Sequence, residues 1–168
     1  ADDLSRNKIG ALMVFERETG LDDYIETGIP IDGLISTALF ENIFIPNTPL
    51  HDGAVIIRGD RIAAASCLLP LTEARNLSQE LGTRHRAAIG LSEQTDALVL
   101  VVSEETGTIS LARGGALQRY LTHGDVKDLL RPVMKTPMLN WKDPILAKLG
   151  KKHPSSDDQK GGGSHGEK

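Results

Sequence analysis

The sequence predicts an α/β domain, a central mixed sheet flanked by helices on both faces. Three observations carry that expectation. Two runs are apolar almost throughout, Ile9-Gly10-Ala11-Leu12-Met13-Val14-Phe15 and Ala97-Leu98-Val99-Leu100-Val101-Val102, the pattern of strands covered on both sides. Apolar residues recur at helical spacing at positions 34, 35, 38, 39 and 43, and again at 126, 129, 130 and 133. Between these lies Ile57-Arg58-Gly59-Asp60-Arg61-Ile62, a tight-turn signal with apolar residues on either side.

The 168 residues suit one domain, expected over 1–150 with its core at about 8–136, followed by a Gly- and Lys-rich tail expected to be disordered from 151 to 168. An apolar content of 39% and a charged content of 25% are ordinary for a globular protein. The net charge of −4 argues against a nucleic-acid partner, because a basic surface supplies most of that affinity. An anionic ligand would have to be met by a local cluster of arginines. The single cysteine, Cys67, excludes an internal disulfide, suits a reducing compartment and sits in an apolar run, so it reads as core. No stretch approaches the roughly 20 apolar residues of a spanning helix. The chain opens on Ala1-Asp2-Asp3 and reads as a fragment whose upstream part is missing.

In chain order, the first apolar run ends in charge at Glu16-Arg17-Glu18 and predicts a strand. Leu21 and Ile25, four apart, predict a short helix between Gly20 and Gly28, which Ile29-Pro30-Ile31-Asp32-Gly33 is expected to break. A helix follows to about Phe44, capped by Asp32 or Ser36 and closed by Pro46 and Pro49. Strands are expected at Ala54–Arg58 and Arg61–Leu69. The small residues Ala63-Ala64-Ala65-Ser66 in the second of them admit a closely packed helix or a flat ring. Thr83 is placed as the N-cap of a helix carrying Ala87, Ala88 and Leu91. A central strand at Ala97–Val102 and another at Thr108–Ala112 come next. Thr122-His123-Gly124-Asp125 is a capping box, with Asp for the usual Glu, ahead of an amphipathic helix that Pro132 should stop. Trp141, with Met138 and Leu139, is expected to add a last contact.

Three stretches hold candidate chemistry. Asn47-Thr48-Pro49-Leu50-His51-Asp52-Gly53-Ala54 places an imidazole and a carboxylate beside a glycine that lets a ligand approach the backbone. Asp-Gly is equally a hairpin signal, so a turn and a site both stand as readings. Leu81-Gly82-Thr83-Arg84-His85-Arg86 puts a hydroxyl and guanidinium groups at a helix N-terminus, whose backbone N–H groups attract anions. The alternative is a solvated basic face. Ser103-Glu104-Glu105-Thr106-Gly107 ends a central strand with oxygen ligands suited to Mg²⁺ or Mn²⁺, or forms a simple polar turn. Together they describe nucleotide chemistry, although neither a Walker loop nor a GxGxxG motif is present.

Asp52-Gly53-Ala54 followed by Arg84-His85-Arg86 resembles the diadenylate cyclase domain, which makes cyclic di-AMP from two ATP molecules. The resemblance covers roughly Lys8 to Thr122, including Phe15-Glu16-Arg17-Glu18-Thr19-Gly20-Leu21, Asn47–Ala54, Gly82–Ala88 and Val102–Gly107. Its outer segments look more like the membrane-anchored CdaA type than the DNA-scanning type. It implies a cytoplasmic catalytic domain, tied to the membrane by helices upstream of Ala1, with regulatory proteins as further partners.

The resemblance also implies roles. Asp52 would be the base for the ribose 3′-hydroxyl, and Gly53 would let the nucleotide lie on the backbone beside Ala54. Thr83, Arg84 and Ser103 would grip phosphates, Gly82, Arg86 and Glu104 would be further substrate contacts, and His85 would support the loop. His51 and Glu105 would contact Mn²⁺ or Mg²⁺, and Leu69 the adenine. A symmetric product from two ATP molecules calls for a face-to-face homodimer. Competing classes are a regulatory module that senses ATP or cyclic di-AMP without turnover, and a nucleotide hydrolase.

Overall fold

Strand side chains alternate between the two faces of a sheet, and here both faces are covered, which is why the central strands are apolar without interruption. In the computed structural model, which describes residues 1–74, 77–78 and 80–134, seven strands form one sheet in the order β2-β4-β3-β1-β5-β6-β7. They are β1 (Ala11–Phe15), β2 (Ile29–Leu34), β3 (Ala54–Arg58), β4 (Arg61–Cys67), β5 (Leu98–Val102), β6 (Ile109–Arg113) and β7 (Ala116–Gln118). The sheet is mixed: β1 runs parallel to β3, while the other neighbouring strands pair antiparallel. The compact unit spans Ala1–Thr136.

Five helices flank the sheet among the described residues: α1 (Asp2–Arg6), α2 (Asp22–Ile25), α3 (Thr37–Ile43), α4 (Thr83–Gln94) and α5 (His123–Leu130). Leu12, Val14, Ile56, Val99 and Val101 pack with Leu21 beside α2 and with Ala87, Ala88 and Leu91 of α4. Met13, Phe15, Val55, Ile57 and Leu100 point the other way, to Leu4, Ile43 and Phe44, with Val126, Leu129 and Leu130 of α5 packed against them. The capping box is present in full, Thr122 accepting from the Asp125 amide while the Asp125 carboxylate accepts from the Thr122 amide, and α5 ends before Pro132.

Glu16 accepts from the Leu21 amide at 3.0 Å and forms a two-pronged pair with Arg58 at 2.6 and 2.8 Å. The Phe15–Leu21 segment therefore joins β1, β3 and α2 and does not face the candidate site.

Several elements differ from expectation. Ile29–Gly33 follows the end of α2 as expected, but it lies within β2, an unanticipated edge strand in which Pro30 costs no ladder bond to a second neighbour. Ile29 and Leu34 look outward at 44% and 61% exposure while Ile31 packs against the core, so the apolar pattern gave no strand signal. Ser36, not Asp32, caps α3, accepting from the Leu39 amide. Gly82 occupies the N-cap of α4 and Thr83 its first turn, so the threonine hydroxyl is not spent on capping. β4 closes at Cys67 rather than Leu69, and β7 and α1 were not anticipated. The expected contact at Met138–Trp141, the boundary at 150 and the tail at 151–168 lie outside the described residues.

Gly90 of α4 shows how closely this helix meets the rest. A β-carbon there would lie 2.3 Å from the Pro70 carbonyl oxygen and 2.6 Å from the Thr72 amide nitrogen, both backbone atoms that cannot swing aside. Gly90→Ala is expected to cost about 3 kcal/mol by overpacking, read as a lowered urea midpoint at unchanged slope.

Candidate functional site

A cleft of about 510 Å³ opens at the end of the sheet where β1 and β3 begin and β4 and β5 finish. That volume is in the range of roughly 300–1,000 Å³ typical of small-molecule sites. In a mixed sheet the usual location at strand C-termini holds only for β4 and β5. The parallel pair, β1 and β3, contributes its N-terminal ends.

The first wall is the Asn47–Gly53 loop. Asn47 adopts a left-handed backbone at φ 64°, and the His51 amide and ring both turn onto the Thr48 carbonyl. His51 Nδ1 lies 2.6 Å from that carbonyl oxygen and so carries the proton, leaving Nε2 with its lone pair. Asp52 is exposed on the cleft, and no described side chain hydrogen-bonds its carboxylate. Its own carbonyl accepts from the Ser66 hydroxyl at 2.7 Å. Gly53 has φ 99°, and a β-carbon on it would come within 2.8 Å of the Cys67 carbonyl oxygen. Glycine is required there on both counts, and it presses the Asp52 backbone onto the end of β4.

The second wall is the start of α4. Arg84 donates from Nη1 to Glu104 at 2.8 Å, while its Nε is buried without a partner among the described residues. His85 is 5% exposed, and its Nε2 also lacks a partner among the described residues. Burial, with the nearby Arg119 charge, pushes the His85 imidazole below its ordinary pKa of 6.5, so the folded protein holds it neutral. The unfolded chain takes up that proton near pH 6.5. The contribution to stability is therefore complete above about 6.5 and falls as the pH drops below it, by at most about 1.4 kcal/mol per pH unit. Denaturation at pH 5 and 7 should show a larger difference for the parent chain than for His85→Gln.

The third wall is the turn after β5. The Ser103 carbonyl accepts from the Gly107 amide at 2.9 Å, and its hydroxyl accepts from the Thr106 amide at 3.3 Å. Glu104 and Glu105 project from this turn, both exposed.

The cleft thus brings together His51, Asp52, Gly53, Leu69, Gly82, Thr83, Arg84, His85, Ser103, Glu104 and Glu105. It does not include two other candidates. Ala54 is fully buried in β3, paired with Cys67, and the Arg86 side chain is exposed off the cleft while its carbonyl accepts from the Thr72 amide. Cys67 is buried, as expected, and burial pushes its thiol up to about 11, which makes it a poor nucleophile. Sequence reasoning missed Leu68 and Leu71, which line the cleft at 69% and 52% exposure, and Glu80, which lines it and pairs with Arg119 at 3.1 Å. An apolar wall of exposed leucines facing a polar wall suits a ligand with a flat base and a charged tail.

Among the described residues no group of three His, Cys, Asp or Glu side chains is placed to hold a metal ion. None of their helices is long and apolar enough to cross a membrane.

Residues 1–117 match the family described as DisA bacterial checkpoint controller nucleotide-binding. The chain is 56% identical over 132 residues to cyclic di-AMP synthase CdaA of Bacillus subtilis, covering 79% of this chain and 48% of that protein. It is 53% identical over 146 residues to a diadenylate cyclase of Listeria monocytogenes, covering 83% and 54%. It therefore spans about half the length of these curated relatives. Among solved structures, a double mutant of DacA from Staphylococcus aureus superposes with a TM-score of 0.78 at 51% identity, covering 80% of this chain and 90% of that one. A protein from Bacillus cereus described as a hypothetical membrane spanning protein superposes with a TM-score of 0.69 at 50% identity, covering 71% and 59%. By the extent of the family match and the level of identity, this chain belongs to the diadenylate cyclase (DAC) family of DisA-type nucleotide-binding domains.

Proposed function

We propose that this domain is a diadenylate cyclase, a nucleotidyltransferase that condenses two ATP into cyclic di-AMP and two pyrophosphates. The observation that carries the reading is the meeting of Asp52, Arg84 and Ser103, far apart in the chain, around one cleft with an apolar wall. The names of the Bacillus subtilis and Listeria relatives support the same activity.

In this reading the adenine lies against Leu68 and Leu69, and the triphosphate runs toward the start of α4. There the backbone N–H groups, the Thr83 hydroxyl and Arg84 neutralise its charge. Asp52 accepts the proton of the ribose 3′-hydroxyl as that oxygen attacks the α-phosphorus of the other ATP. One P–O bond forms, the bond between the α-phosphorus and the bridging oxygen breaks, and pyrophosphate leaves. The step occurs twice, with the two nucleotides exchanging roles. Phosphoryl transfer asks mainly for positioning and charge stabilisation, which suits a site without a covalent nucleophile. Since one domain holds one ATP, two domains must face each other about a two-fold axis.

A divalent ion fits the donor set. His51 Nε2 and the Glu105 carboxylate would hold it, with phosphate oxygens supplying the remaining ligands, as Mg²⁺ and Mn²⁺ commonly accept. The ion would lower the charge on the phosphates and polarise the α-phosphorus. We further propose that a segment upstream of Ala1 ties the domain to a membrane, which the description of the Bacillus cereus neighbour supports.

The test is incubation of the purified chain with ATP and Mg²⁺ or Mn²⁺, followed by product analysis. Cyclic di-AMP with pyrophosphate is expected. Release of ADP and phosphate would identify a hydrolase, and intact, bound ATP a sensor.

A further inference from the structure

We infer that Gly10 is a positioning residue for nucleotide binding, acting through Arg84: its missing side chain is the space in which the Arg84–Glu104 ion pair is seated. The inference rests on the reading that the cleft takes ATP.

Gly10 is buried immediately before β1 and, unlike Gly53, has no positive φ. Its backbone would accept an L-residue, so space alone calls for glycine. A β-carbon on Gly10 would lie 2.7 Å from Arg84 Nη1, 2.9 Å from Arg84 Cζ and 2.9 Å from Glu104 Oε2. These are side-chain ends that can swing. At Gly90 and Gly28 an added β-carbon would meet backbone within 2.6 Å or less, so those glycines serve packing and Gly10 differs from them.

The backbone at Gly10 cannot easily retreat. Ile9 donates to the Leu4 carbonyl at 2.8 Å, and Leu4 is buried in the core. The Ser5 hydroxyl donates to the Gly107 carbonyl at 2.6 Å, locking α1 to the very turn that carries Glu104. An added methyl would therefore displace the guanidinium and the carboxylate, not the chain. Among the described residues Arg84 is the one arginine on the cleft wall, so its orientation decides how the phosphates are met.

The experiment is a thermodynamic cycle: calorimetric ATP titration, with Mg²⁺, of the parent chain, Gly10→Ala, Arg84→Ala and the double variant, each checked by thermal melting. Gly10→Ala should melt within a few degrees of the parent yet bind ATP about tenfold more weakly, and add little to the loss already caused by Arg84→Ala. Equal affinity for the parent and Gly10→Ala overturns the inference. So does full additivity, or a collapsed melting transition for Gly10→Ala, either of which assigns the glycine to the fold. A parent chain that binds no ATP overturns the nucleotide reading itself, and the inference with it.

Discussion

Asp52→Asn should abolish cyclic di-AMP formation, by a factor on the order of 10²–10⁴ in rate, while leaving ATP bound. The Asp52 carboxylate is exposed on the cleft with no hydrogen-bonding side chain on it among the described residues. It is not engaged in holding the fold, and it is available to a substrate hydroxyl. The amide has the same shape and can still accept a hydrogen bond, but it cannot take up a proton at neutral pH. Gly53 and the Ser66 hydroxyl hold the backbone of residue 52 in either case, so the loop keeps its place. The measurement is product formation beside calorimetric ATP affinity. A variant that keeps most of its turnover removes Asp52 from the role of base.

The second large effect is on binding. Arg84→Ala should weaken ATP affinity by about 10- to 100-fold, the value of one or more charge-assisted hydrogen bonds to phosphate. Its partner Glu104 is 63% exposed, so losing the ion pair leaves a solvated carboxylate and little cost in stability. The variant should therefore fold. Arg84→Lys keeps the charge and loses the planar fork, and its affinity should fall between the two. The two substitutions separate along the reaction, one acting on the chemical step and the other on the complex before it. An Arg84→Ala chain with unchanged ATP affinity would dissolve the phosphate cradle.

The two predictions use residues that stand out in the sequence, but the reason they share a cleft does not. Asp52 and Gly53 are legible because a carboxylate beside a glycine has a narrow range of uses, and Arg84 because basic groups follow a glycine at a helix start. Thr83 shows the limit: its side chain suits a cap, yet Gly82 takes that position and the hydroxyl remains at the first turn of α4. Leu68 and Leu71 were hidden for the opposite reason. In the one-dimensional pattern they are two more apolar residues, and only the fold leaves them uncovered beside the polar wall.

By itself the sequence determined what depends on neighbours along the chain. It specified the doubly buried β1 and β5, the hairpin of β3 and β4, the capping box of α5, and the residue types that nucleotide chemistry needs. Tertiary structure alone decided what depends on distant partners. It placed β2 at an edge, put Gly10 beneath Arg84 and Glu104, and brought the Asp52 loop, the start of α4 and the end of β5 to one end of the sheet. Periodicity records whether a residue is buried. Which residues meet is set by strand pairing and close packing, which no local pattern encodes.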